Sequence, residues 1–277
     1  MCVVNTIVFA NQELDNANYK FYYKLEFQFD TLKKNDVRND FIVLLVGNSY
    51  SKSFSYYSYK SDSLRNTPDG DLVARRARIE AMQKAKTRGD KLSILPFQRG
   101  ITPYVYKSYL QNQMIITDNI NTHHYKYKDE LYAQTWQITD STKTIMDYPC
   151  QMAVSDFRGR RWIAWFAHDI PISDGPWKFS GLPGLIMEVY DSEKHFHFTL
   201  VGIEEVDDEP IVFSPVVLSY NTYGEYEKTT RIDFLKGLAR YHGNMISIMN
   251  VELGKDTFDE SRSNVRHNDL MERDYRR

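Results

Sequence analysis

The run Leu185-Ile-Met-Glu-Val-Tyr190, followed by Asp191-Ser-Glu-Lys194 and His195-Phe-His-Phe-Thr-Leu-Val-Gly-Ile203, alternates apolar and polar residues on both sides of a polar loop. That pattern predicts an antiparallel hairpin. Closing it on Asp191–Lys194 sets Tyr190 opposite His195, Val189 opposite Phe196, Glu188 opposite His197, Met187 opposite Phe198 and Leu185 opposite Leu200. One face then carries Leu185, Met187, Val189, Phe196, Phe198 and Leu200, all apolar. The other carries Ile186, Glu188, Tyr190, His195, His197 and Thr199. A slip of one residue would mix the two sets, so the pattern supports this register.

Immediately upstream, Ile170-Pro-Ile-Ser-Asp-Gly-Pro-Trp-Lys-Phe-Ser-Gly-Leu-Pro-Gly-Leu-Ile186 holds three prolines and three glycines in seventeen residues. Ser173–Pro176 reads as one tight turn. Leu182-Pro183-Gly184-Leu185 reads as a type II turn, with proline presetting φ and glycine accepting positive φ. Trp177 and Phe179 share one side of the extended piece between them, with Lys178 opposite. This spacing suits a rigid corner of the sheet. It also suits a preorganised lip of a cleft walled by Trp162, Trp165 and Trp177.

Further strands are predicted at Tyr19–Phe29, where Phe21, Tyr23, Leu25, Phe27 and Phe29 share a face, and at Phe41–Val46 and Tyr50–Tyr59. Short strands follow around Tyr104–Leu110, Gln113–Ile116, His124–Lys128, Gln134–Ile138, Lys143–Met146, Cys150–Ser155 and Arg160–Phe166, the last after a turn at Asp156–Gly159. Helices are predicted over Asp71–Arg88, with Leu72, Ile79 and Met82 on one side, and over Glu225–Tyr241, with Ile232, Leu235 and Leu238 inward. The absence of strand–helix–strand alternation implies a mainly β, α+β fold: a curved, half-barrel-like antiparallel sheet with two or three helices packed on one side. Residues 11–258 read as a single domain, and 259–277 as a charged, frayed tail. Met1–Ala10 reads as the clipped end of a secretory signal, with Val8 and Ala10 before the cleavage point, or else as a first strand.

The chain has 277 residues, 35 basic and 37 acidic, for a net charge of −2, which argues against a nucleic-acid binder. No apolar run is long enough for a membrane-spanning helix. Two cysteines, Cys2 and Cys150, exclude a disulfide framework and a cysteine-rich zinc site. No cofactor motif is present. Glu188 with His195 and His197 could hold a divalent ion, against the simpler reading of a solvated strand face. His123 and His124 are neighbours and read as surface residues. Arg158, Arg160 and Arg161 cluster at a hairpin and could clamp an anion, or be solvated turn charges. A hydrolase could use Cys150 with a histidine such as His168, or Ser180, but no nucleophile elbow surrounds either.

The segment from Cys150 through Phe157-Arg-Gly-Arg-Arg-Trp-Ile-Ala-Trp-Phe166 and Ile170–Phe179 to Gly181-Leu182-Pro183-Gly184-Leu185-Ile186 resembles the GLPGLI family, which takes its name from that hexapeptide. The resemblance implies a secreted, periplasmic or outer-envelope protein of a Gram-negative bacterium, with no established reaction. The expected function is therefore non-enzymatic binding. The partner would be an apolar ligand, a lipopeptide or an envelope protein held near Trp162, Trp165, Trp177, Phe179, Arg158 and Arg160. Metal binding and hydrolysis are the alternatives.

Overall fold

The computed structural model of the chain describes residues 12–28, 31, 37–88, 100–244 and 270–276. The expected leader Met1–Ala10, Phe29, Met82 and residues 259–269 of the tail lie outside the described residues or side chains.

Among the described residues twelve strands form one open sheet. In chain order they are β1 (Gln12–Gln28), β2 (Val37–Gly47), β3 (Tyr50–Ser55), β4 (Tyr104–Ser108), β5 (Gln113–Ile120), β6 (His123–Glu130), β7 (Gln137–Ile145), β8 (Tyr148–Phe157), β9 (Arg160–Ala167), β10 (Leu185–Asp191), β11 (Phe196–Phe213) and, after a small hairpin of β12 (Val216–Ser219) and β13 (Thr222–Gly224), β14 (Glu227–Lys228). The spatial order is β14-β6-β5-β4-β3-β2-β1-β11-β10-β9-β8-β7, so the sheet does not close into a barrel. All of its pairs are antiparallel except β14 with β6. Among the described residues three α-helices accompany it: α1 (Tyr56–Arg65), α2 (Gly70–Arg88) and α3 (Arg231–Gly243). The fold is thus mainly β, as the alternation and turn spacing predict.

Period-two patterning sorts the side chains onto two faces. The inner face collects Phe21, Tyr23, Leu25 and Phe27 of β1 with Ile42, Leu44, Val105, Met114, Trp162, Phe166, Phe198 and Leu200. The outer face carries a smaller cluster of Val43, Leu45, Phe54, Tyr104, Tyr106 and Ile211. α3 lays Phe234 and Leu235 on the inner face. Thr230 caps it by accepting from the Asp233 amide, so the helix begins six residues later than the expected Glu225, because Glu227 and Lys228 pair with β6. Tyr50–Tyr59 is not one strand. Ser55 accepts from the Ser58 amide and starts α1. Leu72 and Ile79 of α2 are exposed rather than packed.

The β10–β11 hairpin keeps the expected faces but not the expected partners. Val189 faces Phe198 and Tyr190 faces His197, a shift of two residues. An even shift preserves side-chain parity, so hydrophobic pattern alone does not distinguish the two registers. Asp191 decides between them. Its carboxylate is buried against Arg160, 2.8 Å away, and accepts from the Phe196 amide. Asp191 therefore ends the strand, and the loop is Ser192–His195.

The tail is not frayed throughout. Leu270, Glu272 and Tyr275 are buried. Arg160 donates to the Leu270 carbonyl at 3.0 Å, and the Arg273 amide donates to the Arg158 carbonyl at 2.7 Å.

Candidate functional site

The segment between β9 and β10 crosses the inner face. Asp174 reaches β3 and β4, and Ile186 returns to hydrogen-bond its carbonyl at 3.0 Å. The Asp174 carboxylate, 1% exposed, accepts from Lys107 Nζ, from Ser51 Oγ at 2.5 Å, from Tyr109 OH at 2.6 Å and from the Gly175 amide at 2.6 Å. Lys107 also donates to the carbonyls of Gly175 and Phe179, each at 2.8 Å. Burial pushes the Lys107 pKa below its ordinary value, and the Asp174 charge offsets that fall only in part.

Lys178, fully buried, donates to Asp129 at 2.9 Å and Glu272 at 2.5 Å. Burial alone would lower its pKa. Glu272, Tyr127 and Asp129 outweigh that and hold it above the usual lysine value. Arg158 adds a bond to Asp129, and Arg231 pairs with Glu272 and Asp274. The network therefore ties the crossing segment to β6, α3 and the C-terminal segment. Arg158 bonds Asp129, and Arg160 bonds Asp191 and the Leu270 carbonyl, so neither is a solvated turn charge.

Gly184 does not adopt the positive φ expected of it; Gly181 does, at 89°. What Gly184 supplies is space. A Cβ there would lie 2.1 Å from the Ala167 carbonyl oxygen. Trp177 also takes positive φ, at 51°, and its backbone N–H donates a hydrogen bond to Ser53 Oγ at 2.9 Å.

Trp162, Trp177 and Phe179 come together, with ring centroids 4.7 to 6.1 Å apart. All three are buried, so they form core rather than the open walls of a cleft. Trp165 points the other way, beneath Lys143. Of the four, Trp177 reaches free space. It lines an apolar cavity of about 300 Å³ with Phe27, Tyr127 and Phe196 from the sheet and Phe234, Leu235 and Leu238 from α3. Sequence reasoning missed the α3 wall, because the distance from Trp177 to Leu238 in the chain carries no local signal. It also missed Lys107. The clue was present in Val105, Lys107 and Tyr109, which put a lysine on an apolar face at period two.

The residues read as metal ligands separate. His197 bonds Glu188 at 2.7 Å, and Lys143 takes the other Glu188 oxygen. His195 instead lies with Asp191 and Glu193. Arg160 and Arg273 enter that second group, 2.8 Å from Asp191 and 2.5 Å from Glu193, and supply its positive charge. Cys150 is buried and donates to the Tyr148 carbonyl. Burial pushes its thiol pKa up, away from thiolate chemistry. Ser180 is fully buried.

The site is that of an open β-sheet protein with an apolar cavity beneath a Gly/Pro-rich crossing segment. Residues 158–188, which contain that segment, match the family model described as "Protein of unknown function (Porph_ging)". No curated protein matches the chain. Among solved structures, PNGF-II in the P21 space group is similar at 11% identity and a TM-score of 0.47, covering 82% of this chain and 34% of that one. PNGF-II in the C2 space group is similar at 12% identity and a TM-score of 0.47, covering 81% and 33%. This chain spans about a third of their length.

Proposed function

We propose that the protein is a non-enzymatic binding protein whose inner cavity takes a small apolar ligand or the end of an acyl chain. The observation that supports this is the apolar cavity itself, floored by a tryptophan held at positive φ. Such strain persists only where the surroundings over-determine it, and it clusters at ligand sites. The volume stands at the lower end of the range for ligand pockets, about 300–1,000 Å³. Cys150 and Ser180, the two nucleophiles weighed for hydrolysis, are both buried, which favours binding over that reaction. Membership of the GLPGLI family and a secreted or envelope location belong to the same proposal, supported by the intact hexapeptide 181–186.

Native mass spectrometry of gently purified protein, before and after denaturation, tests the reading. A retained organic mass in the parent, absent from a Leu238→Trp variant that fills the cavity, is the expected result. A parent at its apo mass that also fails to bind the uncharged fluorophore 1-aminoanthracene would remove the ligand.

A further inference from the structure

The outer face holds a second, larger cavity of about 730 Å³ above β3–β6. Its floor is aromatic. Tyr50, Tyr106 and Phe213 line it, and the Tyr106 and Phe213 rings lie 4.7 Å apart. Its rim is cationic. Lys126 and Lys128 flank the inward Tyr127 on β6 and so project outward, and Lys228 sits beside Lys126 in the parallel β6–β14 pair. Among the described residues, no aspartate or glutamate lines this cavity. The three lysines form no ion pair among the described residues. Arg231, also at the rim, is already committed to Glu272 and Asp274.

A separate observation points into the same space. Ser108, 5% exposed, lines the floor, and its Oγ has no hydrogen-bond partner among the described residues. A buried hydroxyl without a partner calls for an explanation. Three like charges around an apolar floor attract an anion and repel one another without it.

We infer that this groove binds an anionic amphiphile, a carboxylate or phosphate head on an apolar tail. The head lies against Lys126, Lys128 and Lys228, and the tail lies over Tyr50, Tyr106 and Phe213. The inference does not depend on the inner cavity.

Calorimetric titration of the full chain with oleate, lysophosphatidic acid and uncharged monoolein, each below its aggregation concentration, tests it. At least one anionic amphiphile should bind about tenfold or more tighter than monoolein, with affinity falling as salt is added. Preference for oleate assigns a carboxylate head, and preference for lysophosphatidic acid a phosphate. A Lys126→Gln/Lys128→Gln/Lys228→Gln variant should lose the preference while Leu238→Trp keeps it. Three results would each overturn the inference. Neither anion binds, or monoolein binds as well, or the lysine variant keeps its preference while Leu238→Trp loses it. The last result would also move the ligand to the inner cavity.

Discussion

Both faces of this sheet bury a lysine, and they do so by opposite means. On the inner face Lys107 meets a carboxylate, Asp174, and two carbonyls. On the outer face Lys52, 2% exposed, meets no carboxylate among the described residues. It donates to the Val212 carbonyl at 3.0 Å and Ser214 Oγ at 2.9 Å, and lies 5.2 to 5.4 Å from the ring centroids of Phe54, Tyr104 and Tyr106. Burial drives its pKa down to about 7 from 10.5. Burial lowers the pKa of both lysines; on the inner face the Asp174 charge opposes that fall, and on the outer face only neutral acceptors and ring faces do. The inner face is charge-matched and sealed; the outer face leaves cationic groups facing a cavity.

The largest expected effect strikes the inner pair. Asp174→Asn leaves Lys107 buried without a counter-charge and should cost about 3–5 kcal/mol in urea unfolding. A loss below about 1 kcal/mol would show that Lys107 is neutral in the native state, and the contrast between the faces would collapse. Next comes Lys52. Between pH 7 and 10.5 the unfolded chain holds a proton that the native state has released, so this group makes stability rise with pH across that window. Lys52→Met removes the rise. Its stability relative to the parent should fall by about 2–4 kcal/mol between pH 7 and pH 10. Parallel curves would mean that Lys52 stays charged in the native state. The smallest effects sharpen the account of the crossing segment. Gly184→Ala forces a methyl onto the Ala167 carbonyl and should cost about 1–3 kcal/mol. Gly181→Ala meets its nearest neighbour, the Tyr132 ring, at 3.4 Å and should cost about 1 kcal/mol, from its positive φ alone. Equal costs in thermal unfolding would refute the distinction between space and backbone angle.

Much of the sheet was legible because alternation is local. Phe21, Tyr23, Leu25 and Phe27 announce their face within one strand, and the Arg158-Gly159 turn lies where its residues place it, both at positive φ. The candidate site was legible in part. Trp177 was identified, but as an open wall, and Trp165 was grouped with it although three residues from Trp162 is an odd step, which reverses the face. The ion networks were not legible. Lys178 and Glu272 are far apart in the chain, and a charged tail looks solvated until its partners are seen.

The sequence by itself determined the type of most elements, the two faces of β1 and of the β10–β11 hairpin, and the need for glycine and proline in the crossing segment. These depend on period, on backbone sterics and on nearest neighbours. Only the tertiary structure decided the two-residue register of the hairpin, the inward turn of Trp177, the docking of Leu270–Arg276 and the fate of each buried lysine. Those depend on which distant carboxylate, carbonyl or ring occupies the same few ångströms. No short stretch of chain contains both partners.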